Sequence, residues 1–186
     1  PAANVIGGRP LLGELLYFGP GTVPVEINNR RDRPAQVRVV LTAEEGAPPT
    51  PLGETVLTAP PKAVTIARVP GIFSQPGPVK LRYELFEQPA ARLLYTTSVT
   101  HLVPEPLSLQ PAQQVLYTSE AAVTGRWIVG LNPAALGQSA LQFTLTPEGA
   151  AQPGAPCRVT LEGPEGHFSL PGSLAPGTYT VRAQLL

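Results

Sequence analysis

A chain of 186 residues can hold one large or two small domains, each with its own core. Basic and acidic side chains balance at 13 each, which disfavours nucleic-acid binders, and 42% apolar against 14% charged residues argues against disorder. No apolar stretch approaches the roughly 20 residues that a membrane helix needs.

The 24 prolines and 18 glycines punctuate apolar stretches at spacings of about 8–12 residues, the pattern of an all-β sandwich. Seven strands are expected in the first half, near residues 11–18, 22–29, 35–45, 53–58, 62–69, 78–87 and 91–102. Val23, Val25 and Ile27 alternate with polar or small neighbours, and so do Val79, Leu81, Tyr83 and Leu85. One buried and one wet face per strand is what two packed antiparallel sheets require. Between the second and third strands, Asn28-Asn29-Arg30-Arg31-Asp32-Arg33-Pro34 reads as a turn. With Asp32 among its arginines and no glycine-rich cradle beside it, a solvated hairpin tip is expected rather than an anion site.

Val103-Pro104-Glu105-Pro106 marks the domain junction, because alternate prolines stiffen the backbone into an extended spacer. The expected organisation is an N-terminal arm plus sandwich over 1–103, a linker over 104–106 and a second sandwich over 107–186. In the second half, strands are expected near 107–109, 113–118, 121–131, 139–146, 156–162, 167–170 and 177–186. Trp127 and Cys157 fall on core parity. Tyr179, soon after a Pro-Gly corner, fits a tyrosine corner whose hydroxyl ties the turn to a neighbouring strand.

The heptad Pro76-Gly77-Pro78-Val79-Lys80-Leu81-Arg82 recurs as Pro176-Gly177-Thr178-Tyr179-Thr180-Val181-Arg182. After the first copy the chain turns at Gln88-Pro89-Ala90 and returns as a strand, Ala91 to Leu102. The second copy is followed by no such return. The second sandwich is therefore expected to lack its final strand.

Val25-Glu26-Ile27-Asn28-Asn29 followed by Val37-Arg38-Val39-Val40-Leu41 resembles the opening of bacterial immunoglobulin-like domains. Leu174 to Arg182 is similar to the late strand of fibronectin-III-like or macroglobulin-like domains. The resemblance implies tandem immunoglobulin-like antiparallel β-sandwiches of a secreted or surface-anchored bacterial protein, acting as spacer, adhesive unit, enzyme-accessory domain or fibre subunit. It carries no catalytic residues, since such folds share none.

No chemistry-bearing constellation stands out. His101 and His167 fall in different halves, the single Asp32 cannot build a calcium loop, and Cys157 has no partner cysteine. Glu44 and Glu45 are adjacent on a strand and point to opposite faces. No P-loop, G-x-S-x-G elbow or dinucleotide fingerprint occurs. The expectation is a non-enzyme with no cofactor, no metal and no nucleic-acid partner, located outside the cell or at its surface. The chain begins at Pro1 without methionine, consistent either with a removed signal peptide or with excision from a longer protein.

Two functions compete at this level. The first is a fibre or surface-layer subunit that assembles head-to-tail by strand complementation. Its acceptor edge would be Tyr179, Val181, Ala183 and Leu185, and its donor an N-terminal arm carrying Val5, Ile6, Leu11 and Leu12. The second is a spacer or carbohydrate-binding accessory module of a larger secreted enzyme or adhesin, for which Tyr17, Phe18, Phe73 and Tyr95 are the candidate surface aromatics.

Overall fold

The computed structural model describes residues 5–12, 16–44, 48–115, 120, 122–150, 154–171 and 174–186. The chain divides into two compact units, Pro1–Pro104 and Glu105–Leu186. Both are built almost entirely of antiparallel strands, as the alternation predicts.

Among its described residues the first unit has seven strands: β1 (Ile6–Pro10), β2 (Gly19–Asn29), β3 (Ala35–Ala43), β4 (Thr50–Ala59), β5 (Ala63–Phe73), β6 (Gly77–Glu87) and β7 (Arg92–Val103). They form a three-stranded sheet in the order β1-β2-β5 and a four-stranded sheet in the order β4-β3-β6-β7. Apolar residues on alternate positions of both sheets make one core. Val23, Val25, Ile27, Ala67 and Val69 come from the first sheet, and Val37, Val39, Leu41, Leu81, Tyr83 and Leu85 from the second. In a constant-type immunoglobulin sandwich the fourth strand joins the sheet of the first, second and fifth. Here β4 pairs with β3 instead.

Among its described residues the second unit has six strands: β8 (Leu107–Pro111), β9 (Ala122–Val129), β10 (Ala140–Pro147), β11 (Cys157–Thr160), β12 (Glu165–Pro171) and β13 (Tyr179–Leu185). A single helical turn, α1 (Pro133–Leu136), joins β9 to β10. Asn132 caps it, its Oδ1 accepting from the Ala135 N–H at 2.9 Å, and Pro133 opens the first turn. The sheets run β12-β9-β8 and β11-β10-β13. Their facing side chains meet at Phe143 and Phe168, whose rings stack with centroids 5.0 Å apart.

The second unit repeats the first in strand order. β8-β9-β12 corresponds to β1-β2-β5, and β11-β10-β13 to β4-β3-β6, with no counterpart of β7 among the described residues. Cross-strand pairs show how the copies diverged. Leu41 faces Tyr83 in the first unit, whereas Phe143 faces Ala183 in the second, so the aromatic ring has crossed to the neighbouring strand. Val25 opposite Ala67 becomes Gly125 opposite Phe168, and Ile27 opposite Thr65 becomes Trp127 opposite Gly166. Each glycine makes room for a ring. A Cβ at Gly166 would lie 2.5 Å from Trp127 Cζ2, and one at Gly125 the same distance from Phe168 Cζ.

Several expectations need correction. The first strand is Ile6–Pro10, not 11–18, despite Gly7-Gly8. Gly8 lies against Leu85 and Tyr95, and a β-carbon there would be 3.4 Å from Leu85 Cδ2. Of the strand expected over 113–118, residues 113–115 are not extended into a ladder, and the rest lie outside the described residues, as do Glu45 and the start of the arm. The arginine turn is not simply a solvated tip, because Arg31 is buried.

Asn29 organises that turn. Fully buried, its Nδ2 lies 3.0 Å from the carbonyl oxygens of Arg33, Ala59 and Pro60, and its Oδ1 accepts from the Arg31 N–H at 3.1 Å. Replacing it removes these four contacts from the base of the turn. Asn29→Ala is therefore expected to destabilise the first unit by about 1–3 kcal/mol, measured by denaturant unfolding. Gly166→Ala is expected to cost the second unit a similar ~1–3 kcal/mol by overpacking against the Trp127 ring, with the first unit's transition unchanged.

Candidate functional site: the outer edge of β13

β13 pairs with β10 from Leu141↔Leu185 to Pro147↔Tyr179. Beyond its end, Ala140 and Leu186 exchange both hydrogen bonds, at 2.8 and 3.1 Å, and before its start the Glu148 N–H donates to the Thr178 oxygen at 2.8 Å. These bonds fix the parity of the ladder. Even-numbered residues of β13 turn their backbone groups toward β10, so Tyr179, Val181, Ala183 and Leu185 turn theirs to the opposite edge. No described strand pairs there.

The first unit shows what closes such an edge. The Glu44 N–H donates to the Lys80 oxygen at 2.8 Å, so even-numbered residues of β6 face β3 in the same way. Odd-numbered ones meet β7, through Val79↔His101, Leu81↔Val99, Tyr83↔Thr97 and Leu85↔Tyr95. Burial follows. Leu81, Tyr83 and Leu85 are at most 2% exposed, whereas Val181, Ala183 and Leu185 remain half-buried on the same parity.

A groove of about 620 Å³ opens between the sheets beside the first half of β13. Leu109, Val123, Leu145, Phe168, Tyr179 and Val181 contribute its apolar wall. It stops short of Ala183, where Phe143 on β10 already fills the interior by stacking on Phe168. Tyr179 donates its hydroxyl to the Ala175 oxygen at 3.0 Å, so the tie stays within its own corner and does not reach the expected neighbouring strand. The edge therefore has a fixed corner, a ladder that no described strand pairs, and a recess lined by these apolar side chains together with Gln113, Gln114 and Glu120.

The other sequence candidates do not assemble into a site. Ile6 is 2% exposed in the first core and β1 pairs with β2. The Leu11 N–H donates to the Pro24 oxygen, while Val5 and Leu12 are exposed. The arm is thus a strand of its own unit, and donating it would unpair β1 and uncover Ile6. Phe73, expected at the surface, is a core residue at 4% exposure. Phe18 and Tyr95 pack against that core, and Tyr17 is half-buried, so the four aromatics form no platform. Trp127 is buried, as its parity predicts, while Cys157 is half-buried on β11. His167 is exposed, and His101 Nε2 lies 2.6 Å from the Tyr83 hydroxyl, a pair in which burial lowers the imidazole's pKa and raises the phenol's. Among the described residues no group of three or more His, Cys, Asp or Glu could hold a metal ion.

The arginine turn contains an ion-pair lattice that the sequence did not reveal. Arg31 holds Glu87 through both guanidinium nitrogens, Arg92 reaches the same carboxylate at 2.6 Å, and Lys62 pairs with Asp32 at 2.6 Å. Arg31, Asp32, Arg33, Glu87 and Arg92 line a shallow recess in which each acid is already claimed by a base. The Arg31 hydrogen bond, helped by Arg92, outweighs burial and holds the Glu87 carboxyl at about 2, below its ordinary 4.5.

No protein-family model matches this chain, and no curated protein does. Solved structures of similar fold include red sea bream transglutaminase, at 13% identity and a TM-score of 0.35 over all of this chain and 29% of that one. A segment of Escherichia coli alpha-2-macroglobulin from domain MG7 to the C-terminus matches at 16% identity and 0.38, covering 77% of this chain and 23% of that one. A two-domain fibronectin type III segment of chicken tenascin matches at 11% and 0.30, over 94% and 87%. The chain spans less than a third of the first two.

The Glu87 lattice predicts an acid-labile first unit. A carboxyl whose pKa is depressed by folding contributes stability that is fully present above its unfolded value and lost as pH falls through the folded one. Stability should therefore fall between about pH 4.5 and 2. Glu87→Gln is expected to lower stability at neutral pH and to flatten that acid limb, read from denaturant midpoints at several pH values.

Proposed function

We propose that this chain is a non-catalytic structural protein of the cell exterior, assembling head-to-tail with neighbouring molecules by β-strand complementation at the outer edge of β13. The observation that carries this reading is the coincidence of a ladder that no described strand pairs with the half-buried inward residues Val181, Ala183 and Leu185. A strand added there would satisfy backbone groups and cover apolar side chains together, each ladder bond contributing about 0.5–1.5 kcal/mol net.

Five of the other seven edge strands carry a proline, which discourages edge-to-edge pairing: Pro10, Pro51, Pro70, Pro111 and Pro171 in β1, β4, β5, β8 and β12, whereas β7 and β11 carry none. β13 carries no proline and no charge on its inward positions. The arrangement of two different units favours head-to-tail contacts, which extend without closing. The donor is a strand outside β1, since Ile6 is held in its own core.

Ala183→Pro tests this reading, because it removes an outward N–H without touching a bond to β10. Sedimentation velocity and electron microscopy over a range of concentrations should show multimers for the parent chain and monomers for the variant, with circular dichroism unchanged. A parent chain that stays monomeric at every concentration would overturn the proposal.

A further inference from the structure

The internal duplication specifies what the open edge accepts. We infer that β13 takes an extended strand of a neighbouring polypeptide, antiparallel to it, in the register that β7 keeps on β6. This rests on the strand-accepting role proposed above and adds the partner's chemistry: uncharged apolar, β-branched or aromatic side chains on alternate positions, as Tyr95, Thr97, Val99 and His101 are on β7, with polar ones between.

Three observations fix the register. The heptads place Val79 and Leu81 at the positions of Tyr179 and Val181. β3 and β10 then occupy the same side of their partners, through Leu41↔Tyr83 and Phe143↔Ala183. Finally, the hydrogen-bond parities of β6 and β13 agree, so the odd-numbered residues face outward in both. On β6 those residues meet Tyr95, Thr97, Val99 and His101.

The groove says which contacts matter most. Its apolar wall reaches Tyr179 and Val181, whereas Phe143 occupies the interior opposite Ala183. The incoming strand's side chains opposite Val181 and Tyr179, the places of Val99 and His101 in the first unit, are therefore the ones that enter the recess. The side chain opposite Ala183 finds the space already taken by the transposed aromatic. A strand whose parity is wrong by one residue would send its polar face into the groove.

Leu186 stands where Phe86 stands in the first copy, so a second copy of residues 87–103 appended after Leu186 rebuilds the hairpin in register. Hydrogen exchange by NMR on the full chain is the readout. The graft should slow exchange of the Tyr179, Val181, Ala183 and Leu185 amides by at least about tenfold and raise the second unit's melting temperature. Placing V99D and H101D in the grafted copy should abolish both effects, whereas S98D and T100D, on the outward face, should retain them. A synthetic peptide of residues 92–103, added in trans, should protect the same four amides of the parent chain and fail to protect Tyr179, Val181 and Leu185 in Ala183→Pro. Unchanged exchange in the graft, or equal effects of the inward and outward pairs, would overturn the register. A monomeric parent chain alongside a protected graft would overturn the assembly reading and leave the groove's specificity standing.

Discussion

A β-strand cannot choose its side-chain face and its hydrogen-bonding edge independently. Successive residues alternate in both, so in a given strand the residues that point into the core all offer their backbone groups to the same neighbour. In β6 those residues are Leu81, Tyr83 and Leu85, and β7 both pairs with them and completes their burial. In β13 they are Tyr179, Val181, Ala183 and Leu185, and where no described strand pairs, the ladder and the half-buried side chains stand open together. Edge and groove are therefore one feature with one cause.

The two units solve the same packing problem with different chemistry. At the end of β2 the first unit buries Asn29, which binds carbonyls of two turns, and seats the Arg31–Glu87 pair nearby. The corresponding place in the second unit is Val129, followed by the capped turn of α1. A buried amide satisfied by several carbonyls tolerates little rearrangement, and a paired buried charge tolerates even less. The first unit's turn is thus specified by polar geometry, and its carboxylate makes it sensitive to acid. The second relies on apolar packing and on glycine–aromatic pairs across β9 and β12, where the fit of Phe168 and Trp127 against Gly125 and Gly166 sets the tolerance.

Much of this was legible in the sequence because period-two alternation reports burial directly. Val23-Val25-Ile27 and Leu81-Tyr83-Leu85 are core, and Trp127 is too. What escaped were features that depend on contacts between distant segments. Gly7-Gly8 argues against a strand on propensity, yet β1 gains its stability from pairing with β2 and from Ile6 entering the core. Phe73 follows a Pro-Gly pair that reads as a turn, but β5 runs through it to put the ring inside. Arg31 has no local signal separating it from Arg30 and Arg33; its partner Glu87 lies 56 residues away. The single turn of α1 was marked by Asn132-Pro133, a cap followed by a first-turn proline, in a stretch too short for periodicity to show.

The exchange of ring between Leu41–Tyr83 and Phe143–Ala183 bears on why the open unit is folded at all. With the aromatic on β13, as in the first unit, its ring would sit on the uncovered strand and lose contacts along that edge. With the aromatic on β10, the ring is held from both sides of its own sheet and stacks on Phe168 from the other, and Phe143 is fully buried without a seventh strand. Only the small Ala183 is left at the edge. The remaining deficit is displaced toward Tyr179 and Val181, where the tie from the Tyr179 hydroxyl to Ala175 holds the corner. The second unit thus keeps its centre closed, and its recess lies along the half of β13 nearest the corner.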